Sequence, residues 1–394
     1  MKIQVSFLGK SRSSPSTGYR SANYCFEDGS IATTAFLGFE LARRERPDRL
    51  YILGTSGSMW DLLLDAFVSP TIAEESVLAL WEQSSKGQTD ETLLGGFEPV
   101  LSQSLGIECH LRVIPYARHE TEQSALLARL AEWIGEGDEL ILDVTHGFRH
   151  LPMLMLAASY YLKHVRKAKV KDIFYGALDM TENDITPVLG LKGILRILDW
   201  VQGLSAFESS GNYSVFGQLV ESAGLDGGHD NLLRQAAFFE RTTNPVKARE
   251  NLTSVKLDQL DDPMYTLFRE ELVRSTGWWR KGNRGDWEAA LAWKWFDRHD
   301  YMRAAIFTQE SLISRNMGNA PTDDYDAREN IRNTLKKENR DAAKLFRLRN
   351  AMAHGLRSQD NKTNNVLKNE YLLHTELQDL MLSLIGRTPQ SRVS

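Results

Sequence analysis

Short apolar runs alternate with longer amphipathic stretches along the first half of the chain. The apolar runs are rich in β-branched residues, as buried strands are, and they lie at Ile3–Leu8, Leu50–Leu53, Ile107–Ile114, Glu139–Val144 and Val170–Tyr175. Helical spacing of apolar residues recurs between them, at Thr34–Arg46, Met59–Phe67, Ile72–Gln83, Glu122–Gly135 and Leu151–Val165. Strands that alternate with helices at this spacing predict a mainly parallel sheet with helices on both faces.

A different pattern follows the first predicted strand. Tyr24–Phe26 is an apolar arm, and Asp28–Ser30 has the composition of a tight turn. A hairpin is therefore predicted at this point. The polar stretch before it, with Pro15 and Gly18, predicts a loop.

Strand-like runs end near residue 190, and helical periodicity takes over. Apolar residues then recur every three or four positions at Leu195–Phe207, Asn231–Phe239, Leu260–Arg274, Trp287–Trp295, Tyr301–Ser314, Ile331–Met352 and Tyr371–Ile385. The predicted fold class is α/β plus all-α. A Rossmann-like domain with a mainly parallel sheet is expected at residues 1–200 and a helical domain at residues 201–394, with the boundary between 190 and 205.

Composition narrows the class of protein. Hydrophobic residues make up 42% and charged residues 25% of the 394 residues, the balance of a folded globular chain rather than a disordered one. Two cysteines, Cys25 and Cys109, exclude a disulfide framework and a four-cysteine zinc site, which favours a reducing, cytoplasmic location. No cleavable signal is expected at the first residues. The longest apolar stretch, Leu151–Leu162, is too short to span a membrane.

Charge is distributed unevenly along the chain. The formal net charge of −5 argues against a surface built for duplex DNA. Between residues 328 and 357, however, nine basic residues accompany three acidic ones. The basic residues are Arg328, Arg332, Lys336, Lys337, Arg340, Lys344, Arg347, Arg349 and Arg357. A solvated helix face is one explanation of such a stretch, and a nucleic-acid contact is the other.

Small, polar and glycine residues follow three of the predicted strands. They are Gly9, Lys10 and Ser11 after the first strand, Gly54, Thr55, Ser56 and Ser58 after the second, and Asp143, Thr145, His146, Gly147 and Arg149 after the fourth. Ligands bind at the carboxyl ends of strands in such sheets, and the backbone N–H groups there favour phosphate. Turn glycines are the alternative explanation, because no G-x-G-x-x-G and no P-loop lysine accompany them. His146 and His150 lack a further metal ligand beyond Asp143, so no metal is expected.

The third of these segments resembles a known family. Asp143–Arg149, with the sequence DVTHGFR, matches the D-x-T-H-G motif of one group of CRISPR-associated proteins. Ile52–Asp61 and Phe174–Ala177 are similar to other strands of that group. The resemblance covers residues 1–200 and implies a CARF domain, a dimerising sensor of cyclic oligoadenylate. It further implies that cyclic tetra-adenylate binds across a two-fold axis, held by the loops of both copies.

A second motif lies near the end of the basic stretch. Asn350 and His354 are four residues apart and share one helical face, which Arg347 joins, whereas Arg349 flanks that face. A histidine that satisfies the helix end is the alternative explanation. The segment resembles the R-x-x-x-x-H motif of HEPN ribonucleases, in which an Asn often follows the Arg. A CARF domain followed by a HEPN domain is the architecture of that family.

These residue types suit cleavage of RNA, which carries its own nucleophile in the 2′-hydroxyl. His354 is able to exchange protons near neutral pH, and Arg349 offers fixed donors to phosphate oxygens, so no metal is required. One chain supplies one such pair, and two chains would form a composite cleft in a homodimer or a higher oligomer. Basic side chains would line the approach of single-stranded RNA, namely Lys336, Lys337, Arg340, Lys344 and Arg347.

The leading hypothesis is an endoribonuclease of type III CRISPR defence that is activated by cyclic oligoadenylate. Two alternatives stay open. One is a ligand-sensing regulator without nuclease activity, which would have no need of both Arg349 and His354. The other is a ring nuclease that degrades the cyclic oligoadenylate, with Thr145 and His146 as its candidate residues.

Overall fold

The computed structural model describes residues 1–10, 21–68, 72–225, 228–280, 282–318, 320–321, 323–355 and 360–387. Ser11 and Arg357, two residues of the predicted sites and the basic stretch, lie outside these ranges. The chain divides into two compact units, Met1–Leu195 and Arg196–Ser394.

The first unit contains an eight-stranded sheet. Its strands are β1 (Lys2–Leu8), β2 (Ala22–Cys25), β3 (Ile31–Thr34), β4 (Arg49–Gly54), β5 (Glu108–Val113), β6 (Glu139–Asp143), β7 (Lys169–Gly176) and β8 (Ile185–Gly190). Their order is β3-β2-β8-β7-β6-β1-β4-β5. Strands β7, β6, β1, β4 and β5 run parallel, whereas β8 is antiparallel to β7 and β3 is antiparallel to β2. The predicted mainly parallel sheet is confirmed, and so is the predicted hairpin, which is formed by β2 and β3.

Helices cover both faces of this sheet. They are α1 (Leu37–Glu45), α2 (Trp60–Leu64), α3 (Glu74–Lys86), α4 (Glu91–Gly95), α5 (Glu98–Leu105), α6 (Glu120–Trp133) and α7 (His150–Val165). Alternate residues of β4 point to opposite faces. Tyr51 and Leu53 join the core formed with α6 and α7, and Leu50 and Ile52 join the core formed with α1, α2, α3 and α5. The strands are apolar on both sides because both sides are buried.

The sequence did not predict β8. This strand lies between β7 and β2, and its residue Pro187 pairs in register with Cys25 of β2. Proline lacks a backbone N–H and is normally kept out of sheet interiors, so its presence argued against a strand. The predicted helix Thr34–Arg46 also begins later, at Leu37, because Thr34 belongs to β3.

The second unit is helical. Helix α8 (Lys192–Ser210) contains the division between the units, and the helices after it are α9 (Gly217–Ser222), α10 (His229–Arg241), α11 (Pro245–Ser254), α12 (Pro263–Thr266), α13 (Arg269–Thr276), α14 (Arg284–Phe296), α15 (Tyr301–Arg315), α16 (Tyr325–Glu338), α17 (Arg340–His354), α18 (Asn361–Val366) and α19 (Glu370–Ile385). Helices α14, α15, α17 and α19 share one apolar core that includes Leu291, Phe307, Leu345 and Leu377. The predicted change from a sheet to helices near residue 190 is confirmed.

One predicted helix is wrong, because two helices stand in its place. Ile331–Met352 is not a single helix, since α16 ends at Glu338 and α17 begins at Arg340. Asn339 separates them in an extended conformation, and its side-chain oxygen accepts a hydrogen bond from the backbone N–H of Ala342 (3.0 Å). Asparagine is one of the residues favoured at the N-cap position of a helix. The apolar periodicity continues across Asn339, so the pattern of apolar positions does not show the break.

Across the described ranges, no helix combines the length and the apolar character that a membrane crossing requires.

Candidate functional site

A cleft of about 260 Å³ opens at the carboxyl edge of the sheet. Five of the residues singled out in the sequence line it. They are Gly9, Lys10, Thr145, His146 and Gly147. They come from the ends of β1 and β6, which are neighbours in the sheet. The structure therefore brings together the first and third predicted segments at one site.

Gly9 is required by the close approach of these two segments. A Cβ atom at Gly9 would lie 1.8 Å from the backbone oxygen of His146, far inside van der Waals contact. The carbonyl oxygen of Gly9 in turn accepts a hydrogen bond from the backbone N–H of Met59 (3.2 Å). The absence of a side chain at Gly9 lets the loops after β1 and β6 touch, and the loop after β4 is bonded to the same glycine.

Asp143 and Thr145 form hydrogen bonds that hold the motif loop, and Thr145 also lines the cleft. Asp143 is completely buried, and its Oδ1 accepts a hydrogen bond from the backbone N–H of Thr145 (3.0 Å). Its Oδ2 has no hydrogen-bond partner among the described residues, and burial raises the pKa of the carboxyl group to about 6. Thr145 Oγ1 accepts a hydrogen bond from the backbone N–H of Gly176 (2.8 Å). Together they join the ends of β6 and β7.

His146 contributes a neutral ring to the cleft. Its ring stacks on Phe36 with 5.4 Å between centroids, and its Nε2 accepts a hydrogen bond from the backbone N–H of Leu37 (3.4 Å). Burial lowers the pKa of the imidazole to about 4. The ring is therefore uncharged at neutral pH, with its proton on Nδ1, and among the described residues that line the cleft Lys10 carries a positive charge.

In the second predicted segment, side-chain hydroxyls form hydrogen bonds within the loop itself and to the end of β1. Ser58 Oγ donates to the backbone oxygen of Leu8 (2.7 Å) and accepts from the backbone N–H of Thr55 (2.9 Å). Thr55 and Ser58 are both 2% exposed, so neither hydroxyl is open to a ligand. Gly54 is needed because a Cβ there would lie 2.6 Å from the Trp60 ring. Ser56 is half-buried in the same loop.

Arg149 stands at the start of α7 and is exposed. It is not among the residues that line the cleft, so its predicted contact with the ligand stays a prediction.

A further wall of the cleft was not predicted from the sequence. It is built by Leu178, Thr181, Asp184 and Thr186, which surround the start of β8. Thr181 Oγ1 and Thr186 Oγ1 are 2.8 Å apart and hydrogen-bonded. Asn183 and Asp184 have φ angles of 49° and 64°, as in a tight hairpin turn. An Asn-Asp pair followed by the β-branched residues Ile185 and Thr186 is the signal that could have identified this wall.

The second predicted site lies at the end of α17. Arg349 is half-buried, and its Nη1 donates a hydrogen bond to Oδ1 of Asn350 (2.9 Å). Its Nε is buried without a hydrogen-bond partner in the described part of the chain. Burial lowers the pKa of this guanidinium, nearby Arg332 adds to the effect, and Glu310 opposes it. The arginine is thus fixed at the boundary between the core and the surface.

Asn350 and His354 are exposed on the outer side of the same helix. The opposite side, which includes Leu345 and Leu348, is buried. Gly355 ends the helix with a φ of 59°, a conformation that glycine adopts without strain. The motif therefore presents an amide and an imidazole to solvent, with a guanidinium beside them.

The basic residues predicted to approach RNA differ in their surroundings. Lys336, Lys337, Arg340 and Arg347 are exposed. Lys344 forms an ion pair with Glu376, and Arg347 Nε lies 3.9 Å from Asp360 Oδ2. Within this group, Lys336, Lys337 and Arg340 interact least with acidic neighbours.

A further polar cluster in the second unit was not expected from the sequence. Tyr301 Oη donates to Glu370 Oε1 (2.8 Å), and His299 Nδ1 lies 2.7 Å from the same oxygen. His374 Nδ1 lies 3.4 Å from the tyrosine hydroxyl. Burial, with Glu370 as a secondary cause, raises the pKa of Tyr301 to about 12. The cluster joins the first residues of α15 and α19.

Within the described residues, no three side chains of His, Cys, Asp or Glu converge in a way that could hold a metal ion.

Comparisons with known proteins connect the chain with CRISPR-associated proteins. Residues 3–179 match the family model of the CARF domain of the CRISPR system endoribonuclease Csx1. The chain is 27% identical over 225 residues to the CRISPR-associated protein MJ1674 of Methanocaldococcus jannaschii. That alignment covers 52% of this chain and 35% of the relative, so it spans about a third of the length of the curated protein. Both findings support a CRISPR-associated protein with a CARF domain, as the D-x-T-H-G motif predicted.

Proposed function

We propose that this protein is a metal-independent, single-stranded RNA endonuclease of type III CRISPR defence, activated by cyclic oligoadenylate and above all by cyclic tetra-adenylate. The observation that carries the proposal is the arrangement on α17. Arg349 is fixed by burial and by its hydrogen bond to Asn350, beside an exposed His354. A module that only binds a ligand has no need of this arrangement in a second, helical unit.

The ligand half of the proposal rests on the cleft at the sheet edge. Lys10 supplies a positive charge, and Gly9 and Gly147, at the ends of neighbouring strands, line the cleft with it, where backbone N–H groups favour phosphate. His146 adds a neutral ring rather than a second charge. The CARF match supports a cyclic oligoadenylate as the ligand of these residues.

The nuclease half follows from what the α17 side chains are able to do. The 2′-hydroxyl of RNA attacks the adjacent phosphorus atom, and the 5′-oxygen of the next nucleotide leaves. An imidazole such as His354 accepts or returns the proton at these oxygens. Arg349 stabilises the extra negative charge on the phosphorane. One chain provides one His and one Arg, so acid and base roles at one phosphate require a second copy.

A ribonuclease assay with and without cyclic tetra-adenylate tests the proposal. Cleavage is expected only with the ring present, to give products that end in a 2′,3′-cyclic phosphate. EDTA should not inhibit the reaction, and a 2′-deoxy nucleotide at the scissile position should block it.

Variants assign the activity to residues. His354→Ala and Arg349→Ala should each lower the rate by about 10²-fold or more while binding of the ring is retained. Arg234→Ala, which changes a guanidinium that is 55% exposed on α10, is the matched control and should leave the rate unchanged. Inhibition by EDTA, or full activity of His354→Ala, would show that the nuclease assignment is wrong.

A further inference from the structure

The missed wall of the cleft holds an acidic side chain at a site proposed to take an anion. Asp184 is the one carboxylate among the described residues that line this cleft, and Lys10 lines it as well. A carboxylate repels phosphate, so it weakens binding unless it meets a hydrogen-bond donor of the ligand. Asp184 is therefore expected to bind a group of the ligand other than phosphate.

The carboxylate of Asp184 is held in place by the neighbouring strands. Asn23 Nδ2 donates to Asp184 Oδ2 (2.9 Å) and to the backbone oxygen of Asp184 (3.1 Å). Thr33 Oγ1 donates in turn to Asn23 Oδ1 (2.7 Å), which fixes the orientation of the amide. A relay from β3 through β2 thus sets the position of the acid, whereas an incidental surface carboxylate would be mobile.

An ionised carboxylate only accepts hydrogen bonds. A cyclic oligoadenylate offers two kinds of donor, the 6-amino group of each adenine and the 2′-hydroxyl of each ribose. Beside Asp184 the wall is apolar at Leu178, which is 42% exposed, and the hydroxyls of Thr181 and Thr186 are bonded to each other. An exposed apolar side chain beside one strong acceptor suits the face and edge of a base better than a ribose.

We propose that Asp184 selects adenine in the ring ligand by accepting a hydrogen bond from the 6-amino group, with Asn23 as its positioning residue. The inference rests on the proposed function, since it takes cyclic oligoadenylate as the ligand. A carboxylate that faces position 6 repels the carbonyl oxygen that hypoxanthine and guanine carry there, and selection requires that it does not shift to the N1–H donor beside that oxygen. The cleft therefore distinguishes adenine rings from inosine or guanosine rings.

Calorimetric titration with synthetic cyclic tetra-adenylate and cyclic tetra-inosinate tests this inference without any nuclease assay. The wild type should bind the adenylate ring at least about tenfold more tightly than the inosinate ring. Asp184→Asn should lose about tenfold for adenylate and gain for inosinate, because the new amide is able to donate to the carbonyl oxygen. Asn23→Ala keeps the carboxylate of Asp184 but removes the hydrogen bonds that position it. This variant should therefore reduce the preference for the adenylate ring in part. Asp179→Asn, an equal change of charge at an exposed position outside the lining, is the control.

The outcomes separate the two proposals. If the wild type binds the adenylate ring and Asp184→Asn leaves the preference unchanged, base selection by Asp184 is wrong and the proposed function stands. If the loss in Asp184→Asn disappears with a 2′-deoxy adenylate ring, the carboxylate contacts the ribose and the adenine assignment is wrong. If the wild type binds no ring at all, the ligand of the proposed function is wrong and base selection falls with it.

Discussion

Asp143 ends β6 and His146 lies three residues later in the loop that follows, and burial shifts the pKa of both side chains so that each favours its uncharged form. The carboxyl pKa rises to about 6 and the imidazole pKa falls to about 4. For Asp143, the stabilisation gained by the protonated group is complete below its unfolded pKa near 3.9 and is lost as pH rises through about 6. For His146, the stabilisation is complete above its unfolded pKa near 6.5 and is lost as pH falls through about 4.

Asp143→Asn should stabilise the protein at pH 8 and have little effect at pH 4. The amide keeps an oxygen for the backbone N–H of Thr145 and removes the buried negative charge, which costs up to roughly 3 kcal/mol once the group ionises. Urea denaturation at the two pH values measures the difference in the free energy of unfolding. An equal effect at both pH values would mean that Asp143 does not titrate between them.

His146 should contribute to ligand binding as a neutral group. The affinity ratio between wild type and His146→Gln for cyclic tetra-adenylate is therefore expected to stay constant from pH 8 to pH 6, because an imidazole with a pKa of about 4 does not charge in that range. Calorimetry over this range measures the ratio. A ratio that rises as the pH falls below 6.5 would show that His146 binds as imidazolium.

At the residue scale the sequence located the strand ends but not the use of each side chain. Gly9, Lys10 and His146, which the sequence predicts to bind a ligand, line the cleft, because glycines and polar residues after apolar runs are visible in the sequence. Ser58 looks equally suitable, yet its hydroxyl is bonded within its loop. A sequence does not distinguish a hydroxyl that holds a loop from one that meets a ligand.

At the scale of elements, the break between α16 and α17 sets where the motif helix begins. The basic residues Lys336 and Lys337 end one helix, and Arg340 starts the next. The apolar periodicity predicted one long helix, because capping by Asn339 depends on a local hydrogen bond that the pattern of apolar positions does not record. Strand β8 was hidden in a similar way by Pro187.

Asn339→Ala should destabilise the second unit by about 1 kcal/mol, since it removes the hydrogen bond to the backbone N–H of Ala342 at the start of α17. Asn333→Ala is a suitable comparison, because this asparagine is exposed within α16 and does not cap a helix. The two free energies of unfolding are compared by urea denaturation. Equal losses in both variants would show that the cap contributes nothing specific.

At the scale of the whole molecule, the proposal requires that two copies of the chain act together. A single Arg349 and a single His354 do not supply both an acid and a base at one phosphate. The sequence predicts this dimer from the motif and its family resemblance, and one chain by itself does not display it.

A mixing experiment measures whether the active centre is shared. The wild type is mixed with an excess of the Arg349→Ala/His354→Ala double variant and allowed to re-equilibrate into mixed dimers. The activity per wild-type chain should then fall, because a mixed dimer contains one complete motif instead of two. Light scattering on each sample reports the mass. Activity that depends only on the amount of wild-type chain would show that each copy works alone.

The contact of Gly9 with the backbone of His146 has a consequence for how binding is driven. The two loops already touch, and Met59 is bonded to the same glycine, so this side of the cleft is held together by the protein itself before a ligand arrives. Little conformational entropy is then lost there on association. A methyl group at Gly9, as in Gly9→Ala, would separate the loops. Binding would then have to bring them together again, and the affinity for the ligand would fall.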